Sequence, residues 1–180
     1  NLDTWLDLAK KIEDSGADSL AIKDMAGLLR PFDAYDLVRS LKESLSIPIH
    51  MQTHATTGMS PATNMKAIEA GIDNIDTSIS SLSMTYGHTA TETMMAIFEG
   101  QDRYLDLDLV ALEEVSTFFK DIREKYSEFE GNLKGVDSTM LVKQVPGGML
   151  SNLESQLRAN KQEDKIDLVK DEIPKVREDF

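Results

Sequence analysis

Leu2, Trp5, Leu6, Leu8, Ala9 and Ile12 recur at the three- and four-residue spacing of one helical face, and the stretch SGAD ends that helix at Gly16. A short apolar run, SLAIKDM (19–25), then reads as a buried strand. Pro31 opens a second helix reaching Ser44, with Phe32, Tyr35, Leu37, Val38 and Leu41 as its apolar positions. SIPIHMQ (46–52) is a second strand. SPATNMKAIEAG (60–71) is a helix with Ser60 as N-cap and Pro61 at the first helical position. IDNIDTSIS (72–80) is a third strand, and TATETMMAIFEG (89–100) a helix after it.

Strands alternating with helices of this length predict parallel pairing through right-handed crossovers. Three such strands leave two open edges, so further strands are expected upstream or in another chain. The pattern therefore predicts an α/β fold that is part of a (β/α)8 barrel rather than a complete small sheet. After residue 104 the pattern becomes wholly helical. One long amphipathic helix is predicted over 105–129, a turn at VPGGML (145–150), a helix over SNLESQLRAN, and a last helix interrupted by Pro174. The boundary is expected at residues 101–104, dividing the chain into segments 1–102 and 103–180.

Composition removes several classes of partner. The 180 residues carry a formal charge of -13 and are 41% apolar. That is enough for an ordinary core, and the charge repels phosphate backbones and anionic lipid surfaces, so no nucleic-acid partner is expected. Cysteine is absent, which excludes disulfides and thiolate sites and suits a reducing compartment. No apolar run approaches the roughly 20 residues of a membrane span. The chain starts at Asn1 with Asp3 and Asp7 in the first turns, unlike a signal peptide, and it is expected to begin inside a longer protein.

Parallel α/β folds carry their functional groups at the C-terminal ends of strands. Lys23 and Asp24 end the first strand, Gln52 and His54 the second, Asp76 and Ser78 the third. In IHMQTHATTGMS (49–60), His50, Gln52 and His54 share one face by the period of two. The same alternation, which buries Ala21, turns Lys23 toward the barrel interior, where an ammonium must pair with Asp24 or another carboxylate, lose its proton, or become a carbamate. His54 is the best candidate for a metal ligand, against the alternative of a hydrogen-bonding core histidine. His50 reads as a support behind a ligand or as structural, and His88 as helping to start a helix capped by Thr89 or Thr91. In QVPGGMLSN (144–152) two glycines allow close backbone approach to a ligand, while Ser151 also reads as an ordinary N-cap. The nine methionines are spread along helices as core filler.

Four stretches in order, IKDMAGLLRP, HATTG, GIDNIDTSISSLSMTYGHTATETM and VPGGMLSNLESQL, resemble the carboxyltransferase domain of biotin-dependent enzymes. These include pyruvate carboxylase, as a single chain or as a separate carboxyltransferase subunit, transcarboxylase and the sodium-pumping oxaloacetate decarboxylases. The strongest likeness is to the oxaloacetate decarboxylase alpha subunit. The resemblance implies that residues 1–102 supply strands six to eight of the barrel and residues 103–180 part of a helical funnel over its mouth. It implies that Lys23 is a carbamylated metal ligand, that His54 is a second ligand, and that Gln52 stands where the family has a ligand histidine. The cofactors implied are a divalent metal (Zn, Mn, Co or Mg) and biotin carried on a separate domain or subunit. Ser151 falls on the hydroxyl position that shuttles a proton to and from biotin. The implied reaction moves a carboxyl group between oxaloacetate and biotin, or in reverse onto pyruvate. The implied partners are a biotinyl carrier domain, further copies of the chain and the membrane subunits of a sodium pump. The implied location is cytoplasmic, becoming peripheral to the inner membrane through those subunits. Two other readings stand beside it: a metal-dependent acyl-CoA lyase or aldolase on the same type of barrel, and a non-catalytic scaffold whose site Gln52 has disabled.

Overall fold

Two periodicities, 3.6 for the helices and 2 for the strands, decide which side of each element is covered. In the computed structural model, which describes residues 1–131, 133–143 and 147–178, the first half folds as α1 (Leu2–Asp14), β1 (Leu20–Asp24), α2 (Pro31–Ser44), β2 (Ile49–Thr53), α3 (Ser60–Glu69), β3 (Asn74–Ile75) and α4 (Thr91–Phe98). The strands form one parallel sheet in the order β1-β2-β3. Along the central strand, Ile49, Met51 and Thr53 are buried and His50 and Gln52 half-buried. Ile49 and Met51 lose all exposure against Ala9 of α1, Val38 and Leu41 of α2, Ala67 of α3 and Ile72. Helices thus cover one face of the sheet, and Ala21, Lys23, His50 and Gln52 occupy the other. Parallel strands with helices on one face and strand-borne polar groups on the other have the layering of a (β/α)8 barrel.

Local chemistry shifts several expected boundaries. The second strand begins at Ile49 rather than residue 46, because Pro48 has no N–H for the ladder and offers only its carbonyl, to the Leu20 N–H at 2.9 Å. The third strand shrinks to Asn74–Ile75. The Asp76 N–H still reaches the Met51 carbonyl at 2.9 Å, but Ser78 then exchanges bonds with Thr89 and Thr91 and draws the chain away from the sheet. Ser60 is the first residue of α3 rather than its N-cap; Met59 precedes it without a side-chain bond, and the Ser60 hydroxyl is spent on that of Thr89.

The second half carries α5 (Leu109–Lys125), α6 (Thr139–Lys143), α7 (Gly147–Ala159) and α8 (Ile166–Glu178). The predicted 105–129 helix is shorter because Asp108 caps it, accepting from the N–H groups of Val110 and Ala111. Ser151 lies in the second turn of α7, not at its N-cap. Helix α8 runs through Pro174 instead of stopping there. Ile173 packs beside Met140 of α6 and Ala26 of the loop after β1, and this tertiary contact outweighs the single lost backbone bond. The Asp137 N–H binds the Thr56 carbonyl at 2.8 Å, and Arg123 of α5 reaches the Ser81 carbonyl at 2.7 Å. The helical segment is therefore fastened to loops at the C-terminal ends of the strands.

Candidate metal centre and active site

Parallel register sets Lys23 beside Gln52 and Ala21 beside His50, so side chains from two strands line the uncovered face in rows. His50 does not stand alone: its Nε2 lies 2.7 Å from the Asp76 carboxylate, a structural pairing across β2 and the end of β3. His54, one residue past β2, has Nδ1 2.6 Å from the Tyr86 carbonyl. A carbonyl only accepts, so Nδ1 carries a hydrogen and Nε2 is the ring nitrogen left to meet a ligand.

Gln52 donates from Nε2 to Nε2 of His88 at 2.9 Å, and its Oε1 is buried with no hydrogen-bond partner among the described residues. The rings of His54 and His88 stand 4.8 Å apart. Burial first, and then the neighbouring His54, hold the His88 imidazole below its ordinary pKa, which keeps it neutral and able to accept from the amide. His88 therefore belongs to the site and does not start α4. That helix begins at Thr91 behind Ala90, with Thr89 bonded to Ser60 and Thr91 to Thr77. No periodicity links His88 to His54, 34 residues apart, and its only signal is its place inside TYGHTATET.

Lys23 and Asp24 behave differently from the expectation of a buried ion pair. Lys23 and Ala21 are both exposed, and among the described residues β1 pairs only with β2. Asp24 points to the opposite face, where its carboxylate accepts from the N–H groups of Leu28 and Leu29 and from the Thr53 hydroxyl. Among the described residues Lys23 forms no ion pair. The Ser78 hydroxyl donates a long bond, 3.5 Å, to the His88 carbonyl.

The Ser151 side chain, like loop residues 144–146, lies outside what the structure describes. Its helix is nonetheless joined to the site. Glu154, three residues further along α7, bonds the Tyr86 phenol, and burial together with that carboxylate pushes the phenol pKa up to about 12. Tyr86 stays protonated and links α7 to the carbonyl that orients His54.

Among the described residues no three His, Cys, Asp or Glu side chains are grouped to hold a metal ion. The donors the site offers instead are of mixed kind: an orphaned buried amide oxygen on Gln52, a ring nitrogen on His54 oriented by a backbone carbonyl, and Lys23 in register with Gln52. A buried acceptor without a partner costs about 1–3 kcal/mol, a cost that a cation would remove. A carbonyl behind a ligating histidine is the usual support for one. These residues fit a divalent ion if Lys23 contributes an anionic oxygen as a carbamate, since an ammonium would repel it.

The chain is similar to known proteins in sequence and in fold. Residues 1–119 match the model of the HMGL-like family, and residues 140–180 that of the conserved carboxylase domain PYC_OADA. A pyruvate carboxylase subunit of Methanocaldococcus jannaschii is 46% identical over 99% of this chain and 32% of its own length. The methylmalonyl-CoA carboxyltransferase 5S subunit of Propionibacterium freudenreichii is 46% identical over 96% of this chain and 34% of its own. The chain thus spans about a third of the length of these curated relatives. The carboxyl transferase domain of Rhizobium etli pyruvate carboxylase, solved with pyruvate and biocytin, superposes with a TM-score of 0.91 at 33% identity, covering 97% of this chain and 29% of that one. With a matching family model over its first 119 residues and this three-dimensional likeness, the chain belongs to the HMGL-like family.

Proposed function

We propose that this chain is the C-terminal part of the carboxyltransferase barrel, with part of its helical funnel, of a biotin-dependent enzyme acting on oxaloacetate and pyruvate. The observation that carries the reading is Lys23 in register with Gln52 on the uncovered face, with Gln52 bonded to the His88 ring that lies against His54, in a chain 46% identical to a pyruvate carboxylase subunit and to a carboxyltransferase subunit. Lys23 as its carbamate, Gln52 through Oε1 and His54 through Nε2 would hold a divalent cation. That ion supplies Lewis-acid polarisation of the keto-acid carbonyl. Division of the chain at residues 102/103 assigns these groups to the barrel segment and Ser151 to the helical one.

Ser151 is the proton carrier. As the carbon–carbon bond to the departing carboxyl group of oxaloacetate breaks and a bond from that carboxyl to the biotin nitrogen forms, the nitrogen's proton passes through the Ser151 hydroxyl to the methylene carbon, giving pyruvate. The reverse sequence carboxylates pyruvate with the same atoms. Biotin arrives on a carrier domain or subunit. An acyl-CoA lyase on a related barrel is the weaker reading, because residues 140–180 match a carboxylase model.

The test is exchange of labelled carboxyl between oxaloacetate and biotin by the intact protein. The wild type is expected to catalyse it and Lys23→Ala to lose it. A wild type without exchange refutes the activity, and Lys23→Ala with normal rates refutes the role given to that lysine.

A further inference from the structure

The geometry points to His88 as a positioning residue that fixes the Gln52 side-chain amide in the orientation leaving its oxygen free to bind a cation. This rests on the metal site proposed above and adds a residue which that site did not include.

Gln52 offers two chemically opposite atoms at the end of one torsion. The terminal torsion of a glutamine is broad and nearly two-fold, so packing alone discriminates poorly between amide orientations. One orientation presents a lone pair to a cation, and the other presents two N–H groups that repel it. Here the choice is made by a hydrogen bond. Nε2 of Gln52 donates to Nε2 of His88 at 2.9 Å, and the opposite edge of the amide, Oε1, is buried and without a partner among the described residues. A ring nitrogen that accepts from the amide selects the oxygen-forward state. His88 is itself held against His54, with ring centroids 4.8 Å apart, so the group that sets Gln52 also abuts another of the proposed ligands. The consequence is a site with an oxygen donor at position 52, suited to Mn2+ or Mg2+ better than to Zn2+.

The experiment measures Mn2+ uptake by the metal-stripped intact protein, from loss of the free-ion electron paramagnetic resonance signal. His88→Ala, and His88→Leu, which fills the ring's space without an acceptor, are each expected to weaken Mn2+ binding about tenfold, the low end for removing a group that orients a metal ligand. His88→Gln, whose side-chain oxygen can take the place of Nε2 as acceptor, is expected to stay within about threefold of wild type. Gln52→Glu makes both terminal atoms oxygen and removes the need for orientation. In that background His88→Ala is expected to cost no more than about threefold, whereas a merely structural role acting through His54 would cost as much as before.

Equal losses from His88→Ala with and without Gln52→Glu overturn the inference. So does an unchanged affinity in both His88→Ala and His88→Leu, or a loss in His88→Gln as large as in His88→Leu. A wild type that takes up no stoichiometric Mn2+ overturns the metal site together with this inference. Stoichiometric uptake that is indifferent to His88 overturns the inference alone.

Discussion

Gly27 sits at φ +66, and a Cβ built on it would lie 2.3 Å from the carbonyl oxygen of His54, where real Cβ atoms essentially never come within 3.0 Å. Both partners in that clash are backbone. The His54 N–H is tied to the Asp24 carbonyl at 3.0 Å, and the Gly27 carbonyl accepts from the buried Thr57 hydroxyl, so neither strand-end loop can yield independently. Gly27→Ala therefore combines two costs. Left-handed backbone with a Cβ costs about 1–2 kcal/mol, partly offset by about 0.4–1 kcal/mol from the smaller freedom of the unfolded chain. Forcing His54 away from Gly27 adds a steric cost that brings the total to about 3 kcal/mol or more.

Gly16→Ala separates the two contributions. Gly16 has φ +89 with nothing within 4 Å of the added Cβ, so it carries the backbone cost alone, about 1 kcal/mol or less. Urea unfolding of both variants in the intact protein, with carboxyl exchange measured beside it, tests the reasoning. Gly27→Ala should be at least about 2 kcal/mol less stable than Gly16→Ala. Because a displacement approaching 1 Å at a reacting centre costs on the order of a hundredfold in rate, exchange should fall by about that factor in Gly27→Ala and hold in Gly16→Ala. Equal stabilities, or exchange equally preserved in both, would refute the claim that the glycine exists to let His54 approach.

Other consequences are testable by simpler means. Glu13 at the end of α1 is held at about 2, against an ordinary 4.5, by the Lys10 ammonium and then by the hydroxyl and N–H of Ser46. A carboxylate depressed on folding stabilises above its unfolded pKa, so its contribution is full above pH 4.5 and is lost as pH falls toward 2. The stability gap between wild type and Glu13→Gln should accordingly close between about pH 5 and about pH 2.5 in denaturant titrations, and a gap independent of pH would count against that carboxylate. Asp24→Ala strips an acceptor from two backbone N–H groups and the Thr53 hydroxyl and should cost about 3–5 kcal/mol in urea unfolding, whereas Asp24→Asn, which keeps one acceptor oxygen, should cost about half as much.

The alternation of apolar runs suffices to read the architecture, because burial of Ile49 and Met51 on one side of β2 and of Val38 and Leu41 on α2 is a one-dimensional pattern before it is a contact. The same period of two puts His50 and Gln52 on the uncovered face and Lys23 on the same side of its own strand. Local rules fail where a distant partner takes over. Ser60 and Thr89 look like caps in sequence but bond each other, and Pro174 continues its helix because Ile173 is packed beside Met140. A buried, paired Lys23 requires neighbours on both sides of its strand, and among the described residues β1 pairs only with β2. Residue order was therefore enough to say which side chains stand at the ends of β1 and β2 and which way they face. It could not say that His88, 34 residues beyond His54, lies against Gln52 and leaves one amide oxygen without a partner among the described residues. That juxtaposition depends on how the loop carrying Tyr86 and His88 folds back over β2, and hydrophobic periodicity holds no record of it.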